Sequence, residues 1–112
     1  MNGSPPLEFI QLVEQEDDKT IQIQIQKYID KQIEDVISWL FYLLSNSQDE
    51  TILSNSNRLL SVVMEQTSNK ALLVDLLKSK IIESTKQAKS NKNMDMIVAS
   101  IQSASNLLYP TE

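Results

Sequence analysis

Acidic side chains are the residues of this chain with the most obvious potential for chemistry. Asp30 and Glu34 lie one helical turn apart, Asp35 follows directly, and four more acids cluster between residues 14 and 18. Paired carboxylates act as general acid and base, or as metal ligands, when they point into a protected site. The apolar stripe of the same helical segment lies on its opposite side, and we therefore expect Asp30 and Glu34 to face water.

Histidine, cysteine and glycine, on which many catalytic, metal-binding and phosphate-binding sites depend, are absent or rare in the sequence. The chain has no histidine and no cysteine, which removes the imidazole base, the thiolate nucleophile and the usual zinc ligands. A single glycine, Gly3, cannot build a phosphate-cradling loop. No serine has a histidine to activate it. We therefore expect a protein that is not an enzyme and that has no cofactor, metal or small-molecule substrate.

Lysines in the last third form the only basic area of the sequence. They are Lys78, Lys80, Lys86, Lys89 and Lys92. Residues 67–112 carry six basic against four acidic side chains, a net charge of +2, whereas residues 1–66 carry four against eleven, a net of −7. A nucleic-acid surface would combine arginine with interleaved aromatic residues, and this stretch has neither. We expect a solvated helix face, or an electrostatic contact with an acidic protein partner or a sister subunit.

Apolar residues recur at three- and four-residue steps along most of the chain, which predicts helices. Its 112 residues fit one domain, residues 1–112. The pattern predicts five amphipathic helices, at about residues 5–14, 18–44, 48–66, 69–84 and 93–108. The polar stretch 84–93 is either a frayed helical extension or a loop.

Helix boundaries have local signals in this sequence. Ser4 before two prolines predicts an N-cap for the first helix, whose buried face would be Leu7, Ile10 and Val13, with Phe9 as a further candidate. Ser47 with Glu50 matches a capping box that would begin the third helix. Pro110 would end the fifth.

Residues 39–44 (WLFYLL) depart from the one-sided pattern, because six apolar or aromatic residues in a row cover the whole circumference of a helix. One interpretation is a central helix wrapped by the other four. The other is that one side faces a partner, since Trp and Tyr are enriched at interfaces. Both stay open, and Trp39, Phe41 and Tyr42 are the candidate partner-binding residues.

Two stretches of the sequence are similar to each other in their order of residues. Residues 40–46 (LFYLLSN) lead into 54–60 (SNSNRLL), and residues 73–79 (LVDLLKS) lead into 103–108 (SASNLL). Helix pairs of this kind resemble armadillo and HEAT repeats, over about residues 36–108. The resemblance implies a short helical stack, and a compact bundle is the alternative.

The prediction as a whole is an all-α fold of about five helices, in a compact bundle or a short armadillo/HEAT-like stack. The expected function is non-catalytic protein–protein interaction, as a small helical subunit or adaptor of a multiprotein complex. The alternative is a structural module that self-associates. Without cysteine, a secretory signal or a long apolar run, we expect an intracellular protein, cytoplasmic or nuclear, with no membrane or nucleic acid as partner.

Overall fold

The regular secondary structure of the described residues consists of five α-helices. A computed structural model of the chain describes residues 5–15 and 17–108, except for the side chains of Asp18, Ala104, Leu107 and Leu108. The helices are α1 (Leu7–Val13), α2 (Asp18–Asn46), α3 (Glu50–Gln66), α4 (Lys70–Gln87) and α5 (Asn91–Leu108). The predicted N-cap Ser4 and the predicted stop at Pro110 lie outside the described residues.

Helix α2 is the centre of the bundle and packs against the other four helices. Helix α5 also packs against α3 and α4, and α1 rests on α2 and α3. The three principal dimensions are nearly equal, 32 × 30 × 29 Å, as in a closed bundle. The all-α prediction is confirmed, in the form of a compact five-helix bundle.

In the part of the chain that is described, no helix has both the length and the apolar character that crossing a bilayer requires.

Short polar side chains begin four of the described helices by accepting hydrogen bonds from exposed backbone N–H groups. At the start of α5 the Ser90 hydroxyl accepts from the N–H of Asn93 at 3.2 Å. Asp17 caps α2, Asn69 caps α4, and Asp49 caps α3 by accepting from the N–H groups of Thr51 and Ile52. The predicted capping box at Ser47 is therefore wrong. The Ser47 hydroxyl accepts from the N–H of Asp49 instead, at 3.1 Å, because the backbone becomes helical only after Asp49.

Helix α1 differs from its prediction in both its start and its buried face. Pro6 stands before the helix and accepts hydrogen bonds through its carbonyl from the N–H groups of Phe9 and Ile10. Leu7, expected in the core, is 68% exposed. The buried residues are Phe9, Leu12 and Val13, at i, i+3 and i+4. The periodicity was compatible with either face, and Phe9 fixes the orientation because its ring fits against α2.

Helix α2 is bent at Gln32, whose backbone angles are not helical (φ −153°, ψ 57°). The sequence pattern predicted an unbroken helix, since neither proline nor glycine lies near this position. Tyr28 and Trp39 flank the bend and are eleven residues apart, which separates Cα atoms by about 16 Å along a straight helix. Their ring centroids are only 5.9 Å apart. We infer that the bend brings the two rings together.

A buried polar cluster joins the C-terminus of α2 to the α4–α5 connection. The Asn93 amide donates to the carbonyls of Leu44 and Ser47, at 2.8 and 2.9 Å, and accepts from the Ser90 hydroxyl. The backbone N–H of Lys89 donates to the carbonyl of Ser45 at 3.0 Å. These donors satisfy carbonyls at the end of α2, where the last turn holds no basic side chain. The stretch 84–93 therefore holds α4 and α5 against α2.

Ser56 on α3 is fully buried, and its hydroxyl has no hydrogen-bond partner in the described structure. A buried hydroxyl without a partner destabilises the folded state. We expect Ser56→Ala to raise the free energy of unfolding by about 1 kcal/mol in urea titration followed by circular dichroism. The matched control is Ser100→Ala, which we expect to lower it, because the Ser100 hydroxyl contacts Asn57 Oδ1 at 2.7 Å. A destabilised Ser56→Ala chain would contradict this interpretation.

Candidate partner-binding site

The apolar run 39–44 is buried largely by the chain's own helices. Leu40, Phe41, Leu43 and Leu44 all belong to the hydrophobic core. Phe41 is 1% exposed and belongs to the core, which leaves little of its ring accessible to a partner; its role as a partner-binding residue stays a prediction. Trp39 and Tyr42 are only partly buried and stay candidates. Three residues apart, they lie on neighbouring parts of one face of α2.

Trp39 belongs to a cluster of three aromatic rings on the α1 side of α2. The ring centroid of Phe9 lies 4.9 Å from that of Trp39 and 5.6 Å from that of Tyr28. These distances lie in the range of favourable aromatic pairs. Part of the Trp39 surface is thus already in contact with α1. The bend at Gln32 and the docking of α1 together determine where this ring lies.

An open cleft of about 360 Å³ lies between α2 and α4, and both partly buried aromatic residues border it. Its α2 side also includes Asp35, Ser38 and Phe41, and its α4 side is formed by Lys80, Glu83, Ser84 and Gln87. Ser84 is buried, and its carbonyl lies 3.4 Å from the Ser45 hydroxyl, which holds α4 against α2. The cleft therefore combines aromatic surface with a charged rim, and the contact between Ser45 and Ser84 fixes its two helices relative to each other.

The rim of the cleft carries three charged side chains, Lys80, Glu83 and Asp35, whose charges do not cancel. Lys80 Nζ lies 3.4 Å from Glu83 Oε2, an ion pair within α4. Asp35 is exposed on the opposite side of the cleft. One lysine and two carboxylates give the rim a net negative charge. The surface can therefore receive an apolar side chain together with a cation.

The carboxylates that first suggested chemistry lie on the surface. Asp30 and Glu34 are both exposed, and Asp30 accepts a hydrogen bond from the Gln26 amide at 2.8 Å. Among the residues that the structure describes, no group of three acidic side chains is arranged to hold a metal ion. In the lysine-bearing half, Lys92 forms an ion pair with Glu50 of α3, and Lys78, Lys86 and Lys89 are exposed.

Several residues that shape the site were not identified from the sequence. Lys80 was predicted only as part of a solvated helix face or an electrostatic contact, and Glu83 was not singled out, because periodicity does not reveal which turn of α4 lines a cleft with Tyr42. Phe9 was only a secondary candidate for the core, although it anchors the aromatic cluster. Ser90 three residues before Asn93 was a usable signal, since such spacing is typical of a helix start.

Comparison with known proteins adds no relative: no protein-family model, curated protein or solved structure matches this chain. The interpretation of the site therefore rests on the residues and geometry above.

Proposed function

We propose that this chain is a non-catalytic protein–protein interaction module, a small helical subunit or adaptor of an intracellular multiprotein complex. In this proposal a helix of another protein binds in the cleft between α2 and α4. Trp39 and Tyr42 serve as its anchors. The lack of cysteine supports a location inside the cell.

The observation that carries the proposal is the contrast within the run 39–44. Four of its side chains are buried, Phe41 at the base of the cleft among them, whereas Trp39 and Tyr42 are only partly buried and border the same open cleft. Interface hot spots are enriched in Trp and Tyr, which bury a large area and lose little conformational entropy. A partly buried aromatic pair on a fixed helix provides such anchors, because its rings are already positioned before a partner arrives.

The rim of the cleft indicates which partner helix would fit. The partner helix would lie along the cleft with its apolar face inward, as amphipathic helices do in the grooves of other proteins. One of its aliphatic side chains would pack against Tyr42 and Trp39. A lysine or arginine on the same partner helix would lie near Asp35, because Glu83 is already paired with Lys80. An amphipathic helix with one basic edge therefore matches the surface better than an acidic one.

Substitution of Tyr42 by alanine tests the proposal directly. We expect the affinity for a partner purified from the native cell to fall at least tenfold, because an anchoring ring is lost. The helical circular dichroism should be preserved, since Tyr42 is not enclosed. The measurement is a quantitative pull-down with the purified partner at several concentrations.

Ile23→Ala is the matched control, because it removes an exposed apolar side chain from the same helix, outside the lining of the cleft and outside the aromatic cluster around Trp39. It should leave both folding and partner affinity unchanged. Equal affinities of the Tyr42→Ala and wild-type chains would reject the cleft as the binding site.

A self-associating structural module is the second candidate, favoured by the distribution of charge. The acidic first half and the lysine-bearing second half already meet within one chain at the Lys92–Glu50 ion pair. Exposed lysines on α4 could make the same kind of contact with a second copy. Exposed ion pairs are weak and screened by salt. Light scattering at several protein and salt concentrations tests this alternative, and a strict monomer throughout would exclude it.

A further inference from the structure

We propose that α1 is an exchangeable segment, and that its docking site on α2 and α3 also accepts α1 of a second copy of this chain. Exchange in both directions would join two copies by the contacts that α1 makes within one chain. This inference goes beyond the binding of another protein at the α2–α4 cleft, and of the residues that line that cleft it involves only Trp39, whose ring contacts Phe9. The occupant is specified by the structure itself, since α1 is the helix that fills the site.

Three apolar side chains and one hydrogen bond dock α1. Phe9 and Val13 are fully buried, Leu12 nearly so, and the Phe9 ring contacts Tyr28 and Trp39. The amide of Asn55 on α3 donates to the carbonyl of Val13 at 2.8 Å. All of these contacts join α1 to the rest of the chain, so an α1 from another copy could form each of them in the same geometry.

Helix α1 has little stability of its own. It is seven residues long, no side chain caps its N-terminus, and no basic residue lies in its last turn. Isolated helices shorter than about 12 residues are marginal in water. An open cavity of about 520 Å³ separates its polar edge from α2, and the residues around it include Gln11, Lys27 and Gln32. Water therefore reaches one side of the α1–α2 contact, which favours release of the helix.

The connection after α1 is short and acidic. Residues 14–17 join the two helices, and three of these four residues are acidic. Acidic side chains near a helix C-terminus oppose the helix dipole, and their like charges repel one another. A short connection under such repulsion is a recognised route to exchange between copies.

Shortening the connection tests the exchange in the full chain. Deleting residues 14–16 keeps the cap Asp17 but leaves one residue between the helices, fewer than the two to five of an antiparallel helix pair. We expect α1 to be unable to fold back, so the protein becomes a dimer by light scattering. The matched control replaces the same residues by Gly-Ser-Gly and should stay predominantly monomeric. A folded monomer after the deletion would overturn the proposal.

A peptide of residues 5–15 distinguishes exchange from other forms of association. In excess it should convert the dimer of the shortened chain to monomers, whereas the same peptide with Phe9→Ala should not. The dimer should also persist at 1 M salt, because apolar contacts hold it. A dimer that resists the peptide, or that dissolves in salt alone, would contradict the exchange.

The wild-type chain supplies an independent measurement if the shortened chain fails to fold. Light- and heavy-nitrogen forms, mixed at high concentration and cooled slowly from partial unfolding, should yield a dimer of mixed mass in native mass spectrometry. Dilution should return it to monomers only over hours, because α1 must be released again. A wild-type chain that stays monomeric throughout this treatment would overturn the proposal.

Discussion

Replacing Phe41 by alanine is expected to lower the free energy of unfolding by about 3–5 kcal/mol. The side chain is 1% exposed, in the part of α2 that the other helices surround. Its removal forfeits the burial of an aromatic ring and leaves a cavity that close-packed neighbours fill only in part. Urea titration followed by circular dichroism measures the loss. Small domains have about 5–15 kcal/mol of stability in total, so the effect is large.

Tyr42→Ala is the adjacent control for this substitution. Tyr42 is partly buried and borders the α2–α4 cleft, so we expect it to lose much less stability than Phe41. The difference between the two losses in free energy of unfolding shows which side of the run 39–44 faces the interior and which faces the surface. Equal losses would mean that the enclosure of Phe41, or the exposure of Tyr42, is misassigned.

Asn93→Ala is the second substitution with a large expected effect, a loss of about 2–3 kcal/mol. The Asn93 side chain is 1% exposed, and its amide supplies donors to two carbonyls at the end of α2. Alanine would leave these acceptors buried without that donor, and it would also release the Ser90 hydroxyl from its contact with Asn93 Oδ1. Thermal and urea unfolding should both report the loss.

Asn106→Ala is the matched control for Asn93, because Asn106 is exposed on the same helix. We expect its stability to stay within about 0.5 kcal/mol of the wild type. Hydrogen exchange adds a local readout, since Asn93→Ala should speed exchange of amides near the end of α2 more than those of α3. An Asn93 variant as stable as the Asn106 variant would show that the cluster contributes little.

The all-helical fold could be predicted from the sequence because apolar spacing of three and four residues recurs over nearly its whole length. The position of the apolar stripe likewise predicted that Asp30 and Glu34 face water, and both are exposed. Local rules were less reliable where two signals competed. At the start of α3, Ser47 satisfied a capping motif, but the helix begins at Glu50 and Asp49 provides the cap. The resemblance to armadillo and HEAT repeats stays a prediction.

The bend in α2 and the composition of the cleft depend on contacts between distant parts of the chain. Gln32 carries no local signal for a bend, which accompanies the packing of Phe9 against Tyr28 and Trp39. Lys80 and Tyr42 come to line one cleft because the Ser45 hydroxyl contacts the carbonyl of Ser84 in α4, and Asn93 holds the start of α5 against the end of α2. Periodicity in one helix contains no information about such contacts, so the site could be predicted only in part.

Site-specific photo-cross-linking tests the central proposal, partner binding at the α2–α4 cleft, most directly. A benzophenone amino acid would replace Tyr42 in the full chain in its native cell, and a second chain would carry it in place of Gln102, which is exposed on α5. We expect irradiation to yield a defined adduct with another protein from position 42 and none from position 102. No adduct at position 42, or equal adducts at both positions, would contradict the proposal.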